Sequence, residues 1–218
     1  MLMDDLAWNP FEDLAAEQQE HLEAFQEQLL RFNQRVNLIS PETEDEFRTR
    51  HLLHCLTLTV RDFPDGCTIV DWGTGGGLPA IPLAICHPEG TVVGVDSVGK
   101  KARAVRTLAR RLGLENVYAW AGRAERWKGT AHYSVSRATA PLATLWRWHR
   151  RVAVPLGDAP GDDAWPPGLL ALKGGDLSEE IADLRAEDPD VTVDWHPLDE
   201  LLGANGFFGE KKIVVVRS

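Results

Sequence analysis

The chain has 218 residues, 44% of them hydrophobic, with 23 lysines and arginines against 33 aspartates and glutamates, giving a net charge of −10. That length suits one α/β domain with an extension, and no apolar run approaches the roughly 18–20 residues that a bilayer-spanning helix needs. The acidic start, Met1 to Glu12, has no signal-peptide pattern, and Cys55, Cys67 and Cys86 lack metal-ligand spacing, so a monomer in a reducing cytoplasm is expected, with no metal and no membrane association.

Residues 10–36 place Leu22, Phe25, Leu29, Phe32 and Val36 at steps of three and four, which predicts an amphipathic helix. Asn37 to Pro41 breaks it, and a second helix is expected over Glu44–Thr59, capped by Ser40 or Thr43. Residues 1–62 are therefore expected to form a helical extension packed on a core domain, 63–218. That domain opens with the apolar run Thr68-Ile69-Val70, a short strand, followed by a glycine loop and a helix over Leu78–His87. Next come a strand at Thr91–Asp96, a basic helix at Gly99–Leu112 closed by Gly113, and strands at Val117–Ala121 and Tyr133–Arg137. A helix over Pro141–Val152 leads to a loop, 155–168, with four prolines and three glycines. A strand at Leu169–Leu172, a helix at Ser178–Leu184 and strands at Val191–Trp195 and Ile213–Val216 complete the chain, with no helix expected between the last two. Strands alternating with helices predict a doubly wound, mostly parallel sheet, and the closing pair an antiparallel hairpin at one edge.

In such a sheet ligands sit beyond the carboxyl ends of the strands. The first strand end carries Gly73, Gly75, Gly76 and Gly77 within five positions, a loop whose backbone a ligand can approach closely. The second ends in Asp96, about 20 residues on, where a carboxylate can accept hydrogen bonds from ribose hydroxyls. The others end in Gly122-Arg123-Ala124-Glu125, Ser136-Arg137-Ala138 and Lys173-Gly174-Gly175. A dinucleotide fingerprint requires glycine where Leu78 stands. The spacing Asp71-x-Gly73-x-Gly75-Gly76-Gly77 looks instead like the first motif of class I S-adenosylmethionine-dependent methyltransferases, although on the loop alone a dehydrogenase stays open.

Charge is unevenly distributed. Between Ser97 and Arg151 there are 13 lysines and arginines and two acids, Glu115 and Glu125, so this quarter of the chain carries about +11 and the remainder about −21. One basic face and an anionic macromolecular partner are the expectation; a solvated helix face is the alternative.

The stretch Val70 to Ile85, VDWGTGGGLPAIPLAI, resembles the signature of the RsmG (GidB) family of bacterial 16S rRNA guanine-N7 methyltransferases. The resemblance extends over about residues 25–185, through Phe32 to Leu38, Arg50-His51, Asp96 to Lys101, Leu112 to Val117, Gly122 to Glu125, Ser136 to Leu142 and Leu172 to Gly174. It implies a Rossmann-like methyltransferase fold, S-adenosyl-L-methionine as cofactor, and 16S rRNA or the small ribosomal subunit as partner through the basic 97–151 segment. It further implies that Gly73, Gly75, Gly77 and Leu78 surround the methionine and ribose part, that loop amides meet the carboxylate, and that Asp96 holds the ribose. Ala124 and Glu125 border the adenine, and Arg137 closes the pocket beside donor and target base. Arg137, Arg123 and Lys173 are the candidate catalytic cations, for phosphates or the guanine O6. The chain departs from the family in His54-Cys55, where an Asp-Ser pair is usual, and in ending at Arg217-Ser218 without a basic tail. Two alternatives follow from these departures: a methyltransferase redirected to a small molecule or protein, and a non-catalytic cofactor- or RNA-binding relative.

Overall fold

The computed structural model describes residues 6–137, 139–204 and 206–218; Ala138 of the fourth strand-end motif and the first five residues lie outside the described residues. Seven strands form one sheet in the order β3-β2-β1-β4-β5-β7-β6. They are β1 (Thr68–Trp72), β2 (Thr91–Asp96), β3 (Val117–Ala121), β4 (Tyr133–Arg137), β5 (Gly168–Gly174), β6 (Thr192–Pro197) and β7 (Lys211–Arg217). The first five are mutually parallel, while β7 runs antiparallel between β5 and β6. The edge hairpin is thus present, and strand order reverses between β1 and β4.

Both faces of the sheet are covered, because alternate strand residues point to opposite sides. Ile69, Val92, Leu170 and Ile213 face one core with α1 (Ala16–Val36), α3 (Ala80–Cys86) and α4 (Gly99–Arg111). Val70, Val95, Leu169 and Val214 face the other, under α5 (Leu142–Val152) and α6 (Ser178–Glu187). The expected single basic face is therefore divided. The arginines of α4 and of α5 lie on opposite sides of the sheet, and those of α5 are largely committed. Arg147 pairs with Glu187 at 3.3 Å and Arg150 with Asp188 at 2.8 Å, while Arg151 donates to the carbonyls of Trp127 and Ala124.

The helical elements differ from expectation in three places. Helix α1 starts at Ala16, not residue 10, because Asn9 Oδ1 accepts the Phe11 N–H and holds a turn there; the Ala15 N–H instead meets Gln18 Oε1. The second helix is wound unevenly: a 3₁₀ turn (Pro41–Thr43), a π-helical turn (Arg48–Leu53), a short α2 (His54–Leu56) and a 3₁₀ turn (Thr57–Val60). Neither Ser40 nor Thr43 caps it; the Ser40 hydroxyl goes to Glu42 and the Thr43 hydroxyl to the Ser40 carbonyl. Between β6 and β7 a short α7 (Leu198–Leu202) opens after Pro197 and stops at Gly203, whose φ of 62° is the left-handed C-terminal conformation. The 155–168 loop is pinned by buried Trp165, whose N–H and indole Nε1 donate to the carbonyls of Asp62 and Leu58.

Helix α1 also reaches the glycine loop. Leu29, fully buried, lies with Leu38 against Gly76, where a Cβ would sit 3.1 Å from each of them. Leu29→Ala is expected to lower unfolding free energy by roughly 2–5 kcal/mol, the usual cost of such a cavity. Chemical denaturation checks this.

Candidate methyl-donor site and its neighbours

The crevice between β1 and β4 is where a doubly wound sheet opens at its strand ends. The chain leaving β1 is tied to β2: the N–H groups of Gly73 and Thr74 both donate to the Val95 carbonyl, at 2.8 and 3.0 Å. The Gly75 N–H donates to Asp96 Oδ2 at 2.9 Å, and the Val98 N–H to Asp96 Oδ1 at 2.8 Å. Gly73, Gly75 and Gly77 all have positive φ, a region that L side chains avoid. Gly73 also abuts Thr139, so a Cβ there would have no room. The loop is longer than its glycines, because α3 begins only at Ala80, where Asp71 Oδ2 accepts the helix's first N–H at 3.2 Å. The Gly77 and Leu78 amides turn back to the Thr74 carbonyl, which leaves the Gly76 N–H as the loop donor without a protein partner among the described residues.

These residues enclose a cavity of about 460 Å³, a size typical of cofactor pockets. Of the expected cofactor residues, Gly73, Gly75, Leu78, Asp96, Ala124, Glu125 and Arg137 line it, and Arg123 joins them. Gly77 does not reach it and packs on Ile81 instead. Lys173 lies outside it, and its ammonium is already engaged, with Glu180 at 2.7 Å and the Ala140 carbonyl at 2.8 Å. Lys173 thus ties the end of β5 to the entrances of α5 and α6, since Glu180 also accepts the Leu142 N–H; the free cation expected there is not found.

Other wall residues escaped the sequence reading. Leu38 comes from the segment after α1, held by buried Asn33, whose Oδ1 accepts the Leu38 and Ile39 N–H groups and whose Nδ2 donates to the Ile39 carbonyl. Trp148 of α5 donates its indole N–H to Glu125 at 3.2 Å and lies tilted on Trp72. Lys101 and Thr139 complete that wall. Asn33 and Leu38 both fall in the Phe32–Leu38 stretch of the family resemblance, which assigned neither a role; nothing local marked Trp148.

Arg137 is aimed by a chain of hydrogen bonds from the π-helical turn, a winding often found at functional positions. Its Nη1 donates to His51 Nδ1 at 2.9 Å. A guanidinium only donates, so His51 carries its proton on Nε2, which faces Thr43 Oγ1 at 2.8 Å; that hydroxyl donates onward to the Ser40 carbonyl. The arrangement requires neutral His51. Burial, with Arg137 and Arg50 adding to it, pushes its pKa down to about 4.

A larger cavity of about 620 Å³, walled by Arg61, Trp165 and Trp195, sits at the amino-terminal ends of the parallel strands. It has no glycine loop and no strand-end carboxylate, so it is not the ligand crevice. Among the described residues no three His, Cys, Asp or Glu side chains gather as a metal site, and no helix is long and apolar enough to cross a membrane.

The strand order, the glycine loop and the carboxylate at the tip of β2 are those of a class I S-adenosylmethionine-dependent methyltransferase. Solved structures agree on the fold: an O-methyltransferase from Bacillus cereus in complex with SAH superposes with a TM-score of 0.54 at 18% identity, covering 89% of this chain and 91% of that one. Fibrillarin from Aeropyrum pernix with natively bound S-adenosyl-L-methionine gives 0.55 at 17% identity, covering 76% and 74%. The chain belongs to the rRNA small subunit methyltransferase G (GidB) family, whose model matches residues 18–188. It is 76% identical over 216 residues to the ribosomal RNA small subunit methyltransferase G of Salinibacter ruber, spanning 99% of this chain and 100% of that protein. With the protein of the same name from Christiangramia forsetii it shares 38% over 207 residues, 94% of this chain and 92% of that one.

Asp71, fully buried beneath the loop, supplies a pH test. Burial pushes its carboxyl up to about 7; the Thr74 hydroxyl, the Ala80 N–H and Arg137 offset this in part, and Asp96 adds to it. Between the ordinary carboxylate value and about 7 the folded protein holds a proton that the unfolded chain releases, so this group's contribution is full at low pH and lost as pH rises through about 7. His51 has the opposite sign, losing stability as pH falls from 6.5 towards about 4. Comparing Asp71→Asn with the parent removes what the two proteins share. The variant's Tm advantage is expected to grow between pH 5 and pH 8, by at least several degrees, in calorimetric scans.

Proposed function

We propose that the protein transfers the methyl group of S-adenosylmethionine to N7 of a guanine in small-subunit ribosomal RNA. The observation that carries this reading is the meeting, at one crevice, of a methyl-donor cradle with Lys101, Arg123 and Arg137, cations with no acidic partner among the described residues. The name borne by the 76% identical Salinibacter protein supports the same substrate class. In this reading the protein meets its substrate in the cytoplasm, where ribosomal subunits are made.

In this reading Asp96, with both oxygens already fixed by backbone N–H groups, uses its remaining lone pairs on the two ribose hydroxyls. The Gly76 N–H faces the carboxylate of the methionine part, and Gly73, Gly75 and Leu78 give it room. Ala124, Glu125 and Trp148 border the adenine. The N-terminal extension takes part in the site through Leu38, which lines the crevice and packs on Gly76. Arg123 and Lys101 attract phosphate, while Lys173 holds the segment beside Arg137.

When bound, the cofactor supplies an activated methyl group: the C–S bond breaks with its electron pair going to sulfur, as the N7 lone pair forms the C–N bond and the positive charge passes to the base. N7 carries no proton, so no side chain is needed as a base. What the chain supplies is alignment, and holding reactants in line is worth several kcal/mol. Arg137, fixed by neutral His51, marks the place where donor and acceptor meet.

The test is labelled methyl transfer to small subunits, or to 16S rRNA, lacking the modification. Label is expected at guanine N7; none, under conditions where the cofactor binds, would sink the reading. Transfer to a small molecule or protein but not to RNA would favour a redirected enzyme, which the acidic remainder of the chain leaves as a second reading. Asp96→Ala is expected to weaken cofactor binding by about 1.5–3 kcal/mol per lost charge-assisted bond, tenfold or more in Kd. Titration calorimetry checks it.

A further inference from the structure

A second cavity, about 370 Å³, adjoins the first, and the two share Arg137. Its walls come from three separate parts of the chain: Arg50 and His54 from the uneven second helix, Lys173 from the end of β5, and Phe207 and Lys211 from the β6–β7 connection and the first residue of β7. All four charged residues in its lining are cations, and no carboxylate lines it. Two of the four are balanced from behind, Arg50 by Glu46 and Lys173 by Glu180. Arg137 meets only neutral His51, and Lys211 has no ion-pair partner among the described residues.

The mouth is built on Phe207. Arg50 and Lys211 both lie over its ring, each 5.2 Å from the centroid. Cation–π contact holds such groups in place without cancelling their charge. Behind them His54 is 5% exposed, and its Nε2 is buried with no hydrogen-bond partner among the described residues. Burial, and then the charges of Arg137 and Lys211, keep this imidazole neutral. A buried polar nitrogen without a partner is destabilising, and a ligand edge that pairs with it removes that cost. The cavity thus offers two features at once, an anion clamp at the mouth and a neutral hydrogen-bonding group in the wall.

We propose that this second cavity holds the acceptor nucleotide, its phosphate between Arg50 and Lys211 and its base edge on His54, with Arg137 between the base and the methyl donor. The inference rests on the reading of the protein as an RNA methyltransferase and adds to it where the target sits. Turning one nucleotide out of a folded RNA breaks its stacking and pairing, and contacts of this kind offset that loss. In this cavity the base edge meets the neutral His54 ring, and no carboxylate in the lining opposes the phosphate.

The probe is guanosine 5′-monophosphate, titrated into the full-length protein saturated with S-adenosylhomocysteine while the histidine ring resonances are followed by NMR. The expected result is a saturable shift at His51 and His54, with apparent affinity at least about fivefold weaker in Lys211→Gln and cofactor affinity unchanged. In the methyl-transfer assay Lys211→Gln and His54→Phe are each expected to lose about tenfold or more in kcat/KM for RNA. Label transferred to RNA by the parent, with no shift at either histidine and both variants within twofold of it, would overturn the acceptor pocket while leaving the methyltransferase reading intact. Conversely, nucleotide shifts at the two histidines without transfer to any RNA would support the pocket and refute the proposed reaction. Circular dichroism of each variant separates lost contacts from lost folding.

Discussion

The structure hangs on where the chain goes after β1. Gly73 and Thr74 donate not to their own turn but to the carbonyl of Val95 on the neighbouring strand, and Gly75 donates to Asp96 at that strand's tip. One loop is thereby bolted across the ends of two strands. Its open side is left as a crevice, and the carboxylate that shapes it also lines it. Asp71 fixes the far end of the same loop to the start of α3. A buried carboxylate is costly to keep ionised, and the raised pKa of Asp71 records that cost.

On the opposite side of the crevice the organising group is Arg137, and its fixed position comes from outside the sheet. The hydrogen-bond chain through His51 and Thr43 to the Ser40 carbonyl links the β4 end to the uneven second helix. Arg50, His51 and His54 lie within a span of five residues, and spacings of three and four residues keep side chains on one side of a helical turn. All three line the cationic cavity, and the π-helical winding falls on the same segment, Arg48–Leu53.

The strands were legible because each is a β-branched or apolar run cut off by glycine, proline or a charged residue. Thr91–Asp96, Val117–Ala121 and Tyr133–Arg137 have the expected bounds, and the glycine loop and Asp96 line the same crevice. Charge counting misled, since it is blind to which side of the sheet a helix occupies: α4 and α5 are near in sequence but lie on opposite faces, and α5 meets the acids of α6. The wall residues Leu38 and Trp148, and the pairing of Arg137 with His51, 86 residues away, have no local pattern to give them away. Helix α7 was hidden by its brevity, although Pro197 and Gly203 bracket it.

Leu29 and Leu38 press on Gly76 from the N-terminal extension, and Gly76 belongs to the loop that receives the ligand. Whatever settles that loop therefore also settles the docking of α1, and the reverse holds with equal free energy, since linkage is reciprocal. Seen this way, the first helix acts as a reporter of occupancy: its amide exchange rates follow the state of a crevice formed by other parts of the chain. A core cut at residue 63 would keep the glycines, Asp96 and Arg137 but lose the packing that holds the loop ready for its ligand.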